Sequence, residues 1–115
     1  MTAQVNALAK PVLKEAKEGV LYVGKLERNA HGEVTYENSA VGDLVTLYVE
    51  TSTGNNFKDD IKLNAATIGT PLLFAIPKDI FEKNLVPGAT AKLRYTVSRA
   101  ANVSVSPVLE VRLEF

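Results

Sequence analysis

The chain has 115 residues, 46% hydrophobic and 23% charged, the balance of one globular domain and not of a disordered or membrane-inserted chain. Thirteen basic residues match thirteen acidic ones for a formal net charge of 0, which leaves no electrostatic footprint for nucleic acid or an anionic membrane surface. The absence of cysteine excludes disulfides, thiolate metal centres and thiol nucleophiles.

The N-terminus, MTAQVNALAKPVLKEAK, lacks the basic patch followed by an apolar run that marks a secretory signal. The expectation is a cytoplasmic chain as synthesised, unless it leaves by a signal-independent route or belongs to a longer secreted protein. Residues 1–10 read as a flexible lead into a single domain spanning 1–115. PVLKEA and GVLYVG read as short edge strands, and GVLYVGKLERNAHGEVTYE is the least regular stretch. Within it His31 falls in an apparent loop, while Val34 and Tyr36 of GEVTYE share one strand face.

From residue 40 onward the pattern is mostly of period two. DLVTLYVET alternates Val45, Leu47 and Val49 against Thr46, Tyr48 and Glu50, the signature of a half-buried strand. STGNN is a turn signal and FKDDIKL a shorter, more polar strand. PLLFAIP offers Leu72, Phe74 and Ile76 to the core. PKDIFEKN then predicts a short helical crossover near 78–83. Pro77 precedes an acidic first turn, Ile80 and Phe81 are the apolar pair, and Asn84 suits a left-handed stop.

ATAKLRYTVS sets Ala89, Ala91, Leu93, Tyr95 and Val97 inward against Thr90, Lys92, Arg94, Thr96 and Ser98. VLEVRLEF repeats the pattern, with Leu109, Val111, Leu113 and Phe115 inward. Keeping both inward sets on one face predicts Val97 opposite Val105, Arg99 opposite Val103 and Lys92 opposite Glu110 as a charge pair. That register leaves a three-residue loop ending at Asn102, a residue that tolerates left-handed backbone. Pro107 belongs on an edge, and the Tyr95 hydroxyl is placed to anchor a loop in the manner of a tyrosine corner. The sum is an all-β fold, an immunoglobulin-like antiparallel β-sandwich of about seven strands with one helical crossover.

The stretches PVLKEAKEGVL (11–21), AVGDLVTLYV (40–49), IGTPLLFAIPKDIFEKN (68–84) and GATAKLRYTVSRAANVSVSPVLEVRL (88–113) carry a further signal in their order. It resembles the immunoglobulin-like repeat modules of large surface or secreted adhesins of Gram-negative bacteria, and the likeness covers most of the chain. It departs at Val49, where the repeats carry an aromatic, and in showing one module where the repeats run many to a chain. The resemblance implies a sandwich used for spacing or adhesion, without catalysis or cofactor, and a protein or cell-surface partner.

Candidate sites are few. His31 is the single histidine, and a hydrolytic triad or metal centre would have to use it, yet a loop histidine beside glycine reads as a solvated turn residue. The tip TGNNFKDD offers Asn55, Asn56, Asp59 and Asp60 as oxygen ligands. Their spacing is not that of a calcium loop, and Asp59 and Asp60 face opposite sides of a strand. Glu15 with Glu18 and Asp79 with Glu82 lie among lysines and read as surface charge. No catalytic or metal residue is expected. If the strands at 44–50 and 89–98 are neighbours, Tyr48, Lys92 and Arg94 project from one face, where arginine can stack on the ring. These three, with Asn55 and Asn56 of the turn, are the expected partner-binding residues; the alternative is a small sugar-binding sandwich using Tyr48 and the STGNN loop, and a hydrolase with an unrecognised site is the remaining alternative. Open sheet edges near Val20, Val34 and Val103 predict an edge-to-edge homodimer.

Overall fold

The structure, a computed structural model, describes residues 8–115. Along the chain run β1 (Val12–Leu13), β2 (Val20–Tyr22), β3 (Asn29–Val34), β4 (Leu44–Thr51), β5 (Asn56–Lys62), β6 (Leu72–Pro77), α1 (Lys78–Glu82), β7 (Thr90–Arg99), β8 (Asn102–Val105) and β9 (Leu109–Glu114). They form an all-β sandwich of two sheets. The smaller has the order β1-β3-β6; the larger runs β2-β9-β7-β4-β5, with β8 also on β7. All the pairings are antiparallel except β2 with β9, which is parallel.

Period-two patterning builds the core. Val45, Leu47 and Val49 of β4, Leu72, Phe74 and Ile76 of β6, and Ala91, Leu93, Tyr95 and Val97 of β7 are all buried. Each large aliphatic among them contributes about 1.5–3 kcal/mol by leaving water. Gly32 of β3 faces side chains of the larger sheet at close range. A Cβ there would lie 2.8 Å from Leu47 Cδ2 and 3.4 Å from Ile76 Cδ1, so the missing side chain makes room for the facing leucine. The crossover forms as expected: α1 buries Phe81, and Asn84 adopts left-handed backbone at φ 60° just past its end.

The described residues form nine strands where about seven are expected, partly because the C-terminal arm divides. Near the start of β7, Lys92 pairs with Glu110 as predicted, although among the described residues Lys92 makes no ion pair within 4.0 Å. Near its end the register is one residue off: Val97 faces Ser104, Ser98 faces Val103 and Arg99 faces Asn102. The connection is therefore the two residues Ala100 and Ala101, and the left-handed position falls on Ala100, at φ 53°, instead of Asn102. The slip is absorbed by a bulge between β8 and β9, where Ser106, Pro107 and Val108 oppose Arg94 and Tyr95. Proline has no N–H to give the ladder, and Ser106 Oγ takes the place of a carbonyl by accepting from Tyr95 N at 2.9 Å. Val103 and Val105 consequently face solvent.

Other expectations are corrected too. His31 lies within β3, opposite Ala75, and not in a loop. The strand begins at Asn29 and ends at Val34, so Tyr36 is buried just beyond it. Phe115 follows the last strand residue and is 72% exposed. Of the lead at 1–10, residues 1–7 lie outside the described residues, whereas Leu8 is buried and the Ala9 carbonyl accepts a 2.6 Å hydrogen bond from the Tyr95 hydroxyl. The corner tyrosine thus ties Ala9, near the end of that lead, to β7. Val34 belongs to the middle strand of the smaller sheet, while β2 and β8 do lie at edges.

Candidate functional site

The solvent-facing side of the larger sheet brings the predicted residues together. Tyr48 of β4 stands directly between Lys58 of β5 and Arg94 of β7 in the cross-strand register. The Arg94 guanidinium carbon lies 4.3 Å from the Tyr48 ring centroid, and Lys58 Nζ lies 5.9 Å from it, both within cation–π range. The period of two points all three side chains to one face, and the antiparallel register makes them immediate neighbours.

The next row is Asn56, Glu50, Lys92 and Glu110. Lys92 therefore sits between two carboxylates. Arg94 and Lys58 flank an uncharged ring, and among the described residues neither forms an ion pair within 4.0 Å. Two depressions border the tyrosine. One, of about 100 Å³, is lined by Tyr48, Glu50, Lys92, Arg94 and Val108; the other, of about 330 Å³, lies towards Asn56, Phe57 and Lys58. The first owes its far wall to the bulge that carries Val108. Lys58 went unnoticed in the sequence because its place beside Tyr48 depends on the hairpin register.

Asn55 is engaged elsewhere. Its amide donates to the carbonyls of Ile80 at 3.0 Å and Lys83 at 2.8 Å, satisfying acceptors at the C-terminal end of α1. Its backbone N–H bonds to Thr51 Oγ1 at 2.9 Å, closing the turn before Asn56. Asn56 is exposed at the start of β5. Asp59 and Asp60 face opposite sides of β5 as expected, and no group of three or more potential metal-ligating side chains occurs among the described residues.

His31 has a carboxylate partner. Glu15 accepts from the His31 backbone N–H at 2.7 Å, and its other oxygen lies 2.6 Å from Nδ1, so Glu15 is not merely surface charge. The imidazole is 42% exposed, and among the described residues its ring has no hydrogen bond to a hydroxyl.

The most buried charge is Asp43, whose side chain is 1% exposed. Arg99 grips it with Nε to Oδ1 and Nη2 to Oδ2, each 2.8 Å; Tyr36 donates at 2.7 Å and the Ala40 N–H at 3.0 Å. Arg99 also donates to the Asn38 carbonyl at 2.7 Å. Hydrogen bonding from Arg99 leads the causes that hold the Asp43 carboxyl down at about 2, against the opposing effect of burial. Burial, reinforced by Asp43, pushes the Tyr36 phenol up. These bonds fix the β3–β4 connection to the end of β7, and both oxygens of the Asp43 carboxylate are engaged, so the cluster acts as a clasp.

Comparison with known proteins brings no match among family models, curated proteins or solved structures.

Proposed function

We propose that this chain is a non-catalytic immunoglobulin-like module, of the spacer or adhesion kind, that binds a protein partner through the outer face of its larger sheet around Tyr48. The observation that carries the reading is the row Lys58, Tyr48, Arg94, two uncommitted cations on either side of an aromatic ring on a rigid sheet. Aromatic residues and arginine are the side chains most enriched at protein interfaces, and a guanidinium stacked on a ring keeps its N–H edge free to bind. The resemblance of the motif order to that of adhesin repeats supports the same class. A sugar platform is the weaker reading, since Arg94 lies over the ring that a sugar would stack on and the Asn55 amide is bonded to α1.

The test places a photo-crosslinking phenylalanine analogue at Tyr48, or at the exposed Ala75 of the other sheet, in the presence of extract from the source cells. Adducts at Tyr48 that are missing at Ala75 and fade with Arg94→Gln support the proposal. Equal labelling at the two positions, or adducts indifferent to Arg94, sinks it.

A further inference from the structure

The edges of the larger sheet differ in a way that bears on self-association. On β5 the edge reads Asn56–Lys62 with Lys58, Asp59, Asp60 and Lys62 along it. Asp59 lies opposite Leu47, on the core-facing side, and an inward charge on an edge strand blocks another strand from docking. The β8 edge is unlike it. From Asn102 to Pro107 it carries no charge, and Val103 and Val105 are 63% and 58% exposed.

The hydrogen-bond phase of that edge follows from one contact. Ser106 N donates to the Tyr95 carbonyl at 2.9 Å, so Tyr95 with Ser106, Val97 with Ser104 and Arg99 with Asn102 are the bonded pairs of the hairpin. The N–H and C=O of Val103 and Val105 then point away from β7, into an edge that no strand among the described residues covers. Two copies of this edge fit one another. With β8 antiparallel to its twofold mate, Val103 pairs with Val105 of the second copy and Val105 with its Val103, and all the free groups on both strands are used. A twofold interface sets each residue against its own surroundings, so a charged edge repels itself while this one does not.

We propose that the chain forms a homodimer by antiparallel pairing of β8 with β8 of a second copy, with the twofold axis passing at Ser104 and the larger sheets joined into one. The ladder is short. Stable interfaces bury about 1,200–2,000 Å², and a four-residue strand covers much less. The dimer is therefore reversible, with dissociation expected between about 10 µM and 1 mM.

The pairing sets the two copies of Ser104 opposite each other at a non-hydrogen-bonded position, with Cα atoms about 4.5 Å apart, inside the range a disulfide spans. The chain has no cysteine, so Ser104→Cys is a clean reporter, and Ala75→Cys on the other sheet controls for random oxidation. Under mild oxidation Ser104→Cys should form covalent dimer about tenfold faster than the control. Sedimentation of the unmodified chain should show concentration-dependent dimer, weakened about tenfold or more by Val105→Lys. Equal oxidation rates, a monomer throughout to 1 mM, or a dimer untouched by Val105→Lys would each overturn the proposal; the solvent-facing lysine leaves the core intact, and thermal melting checks that it does.

Discussion

Arg99 and Asp43, 56 positions apart in the chain, meet through two 2.8 Å hydrogen bonds that lock the start of β4 to the end of β7. The carboxylate is buried while the guanidinium side chain is one-third exposed, so the arginine retains access to water and the aspartate has none. Removing the acid leaves the Tyr36 hydroxyl and the Ala40 N–H without their acceptor. Asp43→Ala should cost about 2–4 kcal/mol, read by urea unfolding at pH 7; a loss below about 0.5 kcal/mol would show the clasp to be ornamental.

The same pair predicts acid sensitivity. The folded carboxyl titrates at about 2 against an ordinary 3.8, so its contribution is fully present above about pH 4 and disappears as pH falls through 3.8 towards 2. Linkage puts that contribution at about 2 kcal/mol. Asp43→Asn, which cannot titrate, should lose less stability than the parent between pH 5 and pH 2 by about this amount. Parallel pH profiles would contradict it.

Tyr95→Phe deletes one hydroxyl. Burial pushes that phenol up to about 12, so it remains a donor to the Ala9 carbonyl across the ordinary pH range. The substitution should cost about 1 kcal/mol and speed amide exchange in residues 8–10. Unchanged exchange there would mean that the hydroxyl does not hold the segment.

Gly32→Ala tests the tight packing between Gly32 and Leu47. The added Cβ would fall 2.8 Å from Leu47 Cδ2, forcing a buried side chain to move, at about 1–3 kcal/mol. Paired with Leu47→Val, which withdraws the obstructing methyl, the double variant should be less destabilised than the sum of the singles. Additive losses would place the strain elsewhere.

Asn55→Ala should act on stability and not on recognition. It removes both amide bonds to the α1 carbonyls, costing about 1–2 kcal/mol, while Tyr48 crosslinking stays as it was. A folded Asn55→Ala protein that no longer crosslinks at Tyr48 would return Asn55 to the binding surface.

Most of the strand faces were legible because a half-buried strand writes its orientation into every second residue. Val45, Leu47 and Val49 need no neighbour to declare their side, and neither do Leu93, Tyr95 and Val97. The same period placed Tyr48 and Arg94 on one outer face, although their contact also needed β4 and β7 to be adjacent. The hairpin was misjudged for a physical reason: a one-residue slip exchanges faces, and the bulge at Ser106–Val108 allows β8 to slip while β9 keeps its register. Valine at 103 and 105 suits the core in composition, and only the ladder turns it outward.

Local pattern alone thus determined the all-β class, the short helix with its Asn84 stop and the core faces, since each depends on residues close together in the chain. Tertiary structure alone decided the partners across long separations: Arg99 on Asp43, Glu15 on His31, Asn55 on α1, Lys58 beside Tyr48 and the open β8 edge. Such pairings depend on which strands lie side by side and in what register. Those choices are made by the packing of two whole sheets, to which no single stretch of sequence has access.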